Sequence, residues 1–184
     1  MSGPSSVIRQ YHYGVRVASW SFFWGVLLAA IWAGHEYSQI QRRARAVAMI
    51  DKCGGTVIYD YQWSPSKAWL PNAVPPGPKW LRQLLGDKFR ANAVEVQLFA
   101  GPKKRPEVFT DAEAKQLSVL TEVQWLVLMD TNLTDAGLKH LSSLKKLERL
   151  DLEGTPVTEA GVQKLHRALP KVRIFYDDNM IAPE

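Results

Sequence analysis

A single cysteine among 184 residues leaves the chain without any possible intramolecular disulfide. That residue, Cys53, precedes Gly54-Gly55 and has no base near it in sequence, so a buried, idle thiol is expected. Nucleotide, hydrolase and zinc-protease signatures are missing as well: there is no G-x-x-x-x-G-K-[ST], no G-x-S-x-G, no H-E-x-x-H and no C-x-x-C. The histidines (His12, His35, His140, His166) are scattered rather than spaced as ligands. A formal net charge of +5 is mild, and no dense basic stripe alternates with aromatics, so nucleic acid is not an expected partner. These absences set the expectation of a chain that is not an enzyme, with no cofactor and no metal.

Charge is also missing from one long stretch. Val17 to Gly34 reads VASWSFFWGVLLAAIWAG, closed by Arg16 on one side and by His35 and Glu36 on the other. As a helix it rises about 27 Å, close to the roughly 30 Å of a bilayer core. Trp20 and Trp32 fall near its ends, where indoles favour the membrane interface. A cleavable signal peptide is the rival, with Arg9 and Arg16 as its basic region and Ala33 before the cut. Ile31 is too bulky for an A-x-A-like site, so an uncleaved anchor over 17–34 is expected, with the lipid bilayer as a partner through those residues. Arg42, Arg43 and Arg45 outnumber Arg9 and Arg16 across the span, which leaves the side of the soluble part undetermined.

The middle of the chain is irregular. Ile40, Ala44, Val47 and Ile50 recur at helical spacing up to Gly54-Gly55, and Thr56 to Tyr61 reads as a strand. Pro65, Pro71, Pro75, Pro76 and Pro78 then exclude a regular helix or central strand. This loop carries Trp63, Trp69 and Trp80. Pro78 suits the first turn of a helix with Trp80, Leu81, Leu84 and Leu85 on its apolar face and Gly86 as its cap. Lys103-Lys104-Arg105 reads as a solvated basic insert.

What the chain does have is a repeat. LTEVQWLVLMDTNLTDAGLKHLSS (120–143) superposes on LKKLERLDLEGTPVTEAGVQKLHR (144–167) with a shift of 24. Val123 falls on Leu147, Leu126 on Leu150, Leu128 on Leu152 and Leu141 on Leu165, while Thr134-Asp135-Ala136-Gly137 falls on Thr158-Glu159-Ala160-Gly161. Thr110-Asp111-Ala112 lies one period earlier, Val96-Gln97-Leu98 offers an upstream strand, and Val172 to Tyr176 offers a last one. Leucines on alternate sites of a strand point one way, into the layer between strand and helix. Thr158 is placed to cap a helix, and the Thr131 and Thr155 hydroxyls to satisfy turn backbone.

These residues resemble the leucine-rich-repeat family, of the type L-x-L-x-x-T-x-[LV]-T-[DE]-A-G-[LV] found in bacterial proteins, some of them membrane-anchored. The resemblance covers about 93–178 and implies an α/β fold, a short leucine-rich-repeat solenoid with parallel strands; with the anchor read at 17–34, the expected architecture is that solenoid preceded by an N-terminal transmembrane helix. It implies protein binding on the concave face and a single-pass protein of the bacterial cytoplasmic membrane. The expected layout is a tail at 1–16, the anchor at 17–34, helix, strand, loop and capping helix at 35–92, repeats at 93–178 and a tail at 179–184. If Leu126 and Leu128 point inward, Trp125, Val127 and Met129 point outward, with Arg149, Asp151 and Glu153 one repeat on. Allowing one extra residue, Ile174, Tyr176 and Asp178 follow; one repeat back stand Glu95, Gln97 and Phe99. The expected partner-binding row is Phe99, Trp125, Val127, Met129, Arg149, Asp151, Glu153, Ile174 and Tyr176, open to an unidentified protein or covered by the loop from Trp63 to Trp80. The expected function is a membrane-anchored protein-interaction module, with a permanent structural subunit of a larger membrane complex as the alternative.

Overall fold

A computed structural model of the chain describes residues 5–63, 69–85, 91–99 and 109–183, with side chains from residue 23 onward except at 81, 84 and 85. Its elements are α1 (Ser5–Lys52), β1 (Thr56–Tyr59), a 3-10 turn (Asp60–Gln62), α2 (Lys79–Leu85), β2 (Ala93–Leu98), α3 (Asp111–Leu117), β3 (Trp125–Leu128), α4 (Asp135–Leu141), β4 (Arg149–Asp151), α5 (Glu159–Ala168), β5 (Arg173–Tyr176) and β6 (Asn179–Ile181). The strands form one six-stranded sheet in sequence order. The 24-residue period appears directly as register: Leu126 pairs with Leu150, and Leu150 with Ile174.

Two expectations about the fold are corrected. The sheet is mixed rather than parallel throughout. β2 to β5 run parallel, but β1 pairs antiparallel with β2, and β6 antiparallel with β5. At the C-terminal end the reversal is a two-residue turn with Asp177 and Asp178 at φ 42° and 59°, the left-handed backbone that tight hairpins need. Residues 179–181, expected within a tail, are therefore a strand. The second correction concerns the membrane. Residues 17–34 are helical, within α1, but among the described residues no helix is long and apolar enough to cross a membrane, so the transmembrane helix does not stand. The side chains of 17–22 lie outside the described residues.

By its contacts the chain divides into two units, residues 1–41 and 42–184. In the first, Phe23, Trp24, Leu28, Ile31 and Trp32 are exposed. In the second, α1 continues to Lys52 and ends in a Schellman motif. Gly54, at φ 75°, donates its amide to Asp51, and Gly55 donates to Ile50. The face of this segment that enters the core is Ala46, Ile50 and Cys53; of the expected positions Ile50 is buried, Ile40 and Val47 are half-buried and Ala44 is exposed. The strand after it ends at Tyr59, two residues early, because Asp60 to Gln62 turn into the 3-10 segment.

The core is a single layer between the sheet and the repeat helices. Val96, Leu98, Leu126, Leu128, Leu150, Leu152, Ile174 and Tyr176 enter it from the strand side, and Ala114, Leu117, Leu138, Leu141, Val162 and Leu165 from the helices. The Thr131 and Thr155 hydroxyls, both buried, donate to the Leu128 and Leu152 carbonyls at 3.0 and 2.6 Å, which satisfies the turn leaving each strand.

The T-[DE]-A-G segment ties one repeat to the next. Thr110, Thr134 and Thr158 are N-caps whose hydroxyls accept the amides of Ala112, Ala136 and Gly161. The Asp111 carboxylate, in the first turn of α3, accepts the Thr134 amide and hydroxyl at 2.9 and 2.7 Å. Asp135 does the same for Thr158 at 2.8 and 2.6 Å. Gly137 and Gly161 lie hard against these carboxylates, and a Cβ at either would strike the aspartate.

Candidate functional site

Strand alternation leaves a second row of side chains on the sheet face that the repeat helices do not cover. Direct register places Glu95 beside Trp125, Trp125 beside Arg149, and Arg149 beside Arg173. One step along stand Gln97, Val127, Asp151 and Phe175. The structure therefore brings Trp125, Val127, Arg149 and Asp151 onto one surface. Met129 and Glu153 follow just beyond the strand ends, both half-buried, and Phe99 follows β2, partly exposed.

Ile174 and Tyr176 are not on this surface. They are 0% and 9% exposed and point into the core. The period from Arg149 stays at 24, with no extra residue, so Arg173 and Phe175 take the outward places. A strict shift from Arg149 and Asp151 finds both; the added residue exchanged the two faces of the strand.

The contacts across this surface are specific. The Arg149 guanidinium lies over the Phe175 ring, 4.6 Å from its centroid, and its Nη2 is 3.8 Å from the Asp151 carboxylate. Asp151, 7% exposed, also accepts the Glu153 amide at 3.3 Å. Trp63 meets Trp125 edge to face, with centroids 6.0 Å apart and planes at 69°. Trp63 in turn pairs with Trp69 through a backbone bridge. The Trp-rich loop thus reaches the row at its first residue, yet Trp125 stays 42% exposed. Residues 64–68 lie outside the described residues, as do the basic positions 103–105 and Gly86.

Among the described residues no three His, Cys, Asp or Glu side chains converge as a metal site. Burial raises the Cys53 thiol, and the Glu113 charge adds to this while Lys52 opposes it, so the thiol is held in the unreactive protonated form. Burial, with the Asp51 charge, pushes the Tyr59 hydroxyl up to about 12. A groove between α4 and α5 is lined by Leu138, Leu165, Ser142, Asp135, Lys139 and Lys164.

The sequence readily yields Trp125 and Arg149, because period and alternation both reach them. For Trp63 it yields only the open alternative that the loop from Trp63 to Trp80 covers the row, since the contact with Trp125 joins positions 62 residues apart with no shared period. Compared with protein-family models the chain matches none, and no curated protein is significantly similar to it.

Proposed function

We propose that the sheet face opposite the repeat helices docks a protein partner, and that the repeats belong with the leucine-rich-repeat binding modules they resemble. The observation that carries this reading is Trp125: it is braced edge-on by Trp63, yet 42% of it is exposed on a face no repeat helix covers. Indole and guanidinium groups are the side chains most often found as binding anchors. Here Trp125 adjoins Arg149, which Phe175 and Asp151 hold in place. Bracing of this kind lowers the ordering cost on binding. Trp63 then belongs to the docking surface as its rim rather than to a cover over it.

The test is affinity purification of the full chain beside its Trp125→Ala and Lys164→Ala variants. Lys164 lies on the opposite, helical layer and serves as control. Trp125→Ala is expected to weaken capture by about 2 kcal/mol or more, the threshold of a hot spot. It should cost less than about 1.5 kcal/mol of stability, the upper worth of one aromatic pair. Undiminished capture by folded Trp125→Ala would overturn the reading.

A further inference from the structure

Two carboxylates on the face opposite the repeat helices are both 7% exposed and differently supplied. Asp151 has the Arg149 guanidinium at 3.8 Å and the Glu153 amide at 3.3 Å. Glu95, also 7% exposed, accepts one neutral hydrogen bond, from Gln97 Nε2 at 2.5 Å, and pairs with no cation among the described residues. The basic group nearest in register is Arg149, two strands away and already engaged by Phe175 and Asp151. A buried carboxylate without a cation is costly, and the cost falls when a positive group reaches it.

The surroundings of Glu95 favour such a group. Its direct neighbour across the parallel ladder is Trp125, and across the antiparallel ladder Ile58. Trp63 stands edge-on to Trp125 at 69°, so the indole next to Glu95 in register is one of a pair. Indole faces attract ammonium and guanidinium groups, most strongly where water is excluded. Trp125 itself is 42% exposed.

We propose that Glu95, Trp125 and Trp63 receive a basic side chain, lysine or arginine, from the docked partner. This rests on the docking reading above and supplies its chemistry: the partner brings a positive charge to the Glu95 end of the row, while the Arg149 end is already neutralised within the chain.

The test uses full chain labelled with nitrogen-15 at its indoles and three blocked pentapeptides, glycine throughout with a central arginine, lysine or alanine. The arginine and lysine peptides should shift the indole signals of Trp63 and Trp125, assigned by Trp63→Phe and Trp125→Phe, in a saturable manner, and the alanine peptide should not. Glu95→Gln should weaken this response at least tenfold, whereas Glu153→Gln, an equal change of net charge on the same face, should leave it within twofold. Glu95→Gln should also raise the melting temperature of the free protein or leave it unchanged, since it removes an unpaired buried charge; a lower melting temperature would count against the site. Equal responses to the alanine peptide, or equal losses in Glu95→Gln and Glu153→Gln, would overturn the proposal. Partner capture lost in Trp125→Ala but intact in Glu95→Gln would overturn it while leaving the docking face standing. Capture intact in both variants would overturn the docking face itself.

Discussion

Asp111 and Asp135 each accept two hydrogen bonds from the N-cap threonine of the next repeat, and the glycine three residues after that cap leaves room for the carboxylate. At most helix positions Gly→Ala stabilises by up to about 1 kcal/mol. Gly137→Ala should do the reverse and cost about 1–3 kcal/mol, as overpacking does, because the new Cβ strikes the Asp111 carboxylate and Leu133. Urea unfolding measures this, and a stabilised variant would mean the ladder yields freely. Asp111 also carries a pH dependence. Burial pushes its carboxyl up, but the Thr134 amide and hydroxyl and the Gly137 amide, with the His140 charge, outweigh that and hold it below the usual carboxylate range. A carboxylate depressed in the folded state stabilises above its unfolded value, about 3.9, and loses that contribution as pH falls through the lower folded value. The stability gap between the native chain and Asp111→Asn should therefore be full at pH 5 and shrink steadily below about pH 4. A gap unchanged down to pH 2 would remove Asp111 from the acid response.

At the scale of the element, each repeat is a strand of three to six residues and a helix of seven to ten, too short to stand alone. Leu126 and Leu150 occupy matching places in β3 and β4, pair directly and are both 0% exposed. Leu126→Ala and Leu150→Ala should each cost about 2–5 kcal/mol, as truncation of fully buried leucines does. Chemical denaturation checks this, and a loss below about 1 kcal/mol at both positions would contradict the packing. Ile174 and Tyr176 belong to the same inward row, so Ile174→Ala should weaken the fold and leave partner capture by the surviving folded fraction unaltered.

For the whole molecule, the two antiparallel strands decide how the sheet ends. β2 to β5 alone would present two open parallel edges, each a template for another chain. β1 covers one edge and β6 the other. β6 is held by the turn at Asp177-Asp178 and by the pairing of Ile174 with Ile181. Removing residues 179–184 should uncover β5, lower the melting temperature and produce concentration-dependent association in size-exclusion chromatography. A truncated chain that stays monomeric at the native melting temperature would mean β6 protects nothing.

The periodic part of this protein was readable from its residues alone. A shift of 24 and the alternation within each strand place Leu126, Leu150, Trp125 and Arg149 on their correct faces, because in-register stacking repeats one local solution. The turn threonines and the N-caps were legible for the same reason: each acts on backbone within three residues of itself. Only the tertiary structure decided what joins distant positions. The shift from Ile174 and Tyr176 to Arg173 and Phe175 came from the pairing with β4, which holds the period at 24 through a helix longer than its predecessors. The antiparallel ends depend on two reversals outside the repeat. The bracing of Trp125 by Trp63, and the Glu95 carboxylate beside it, depend on a loop whose prolines exclude a regular element but do not say where it lies. Periodicity constrains a residue through its neighbours in the chain; packing between a loop and a sheet constrains it through residues that no spacing predicts.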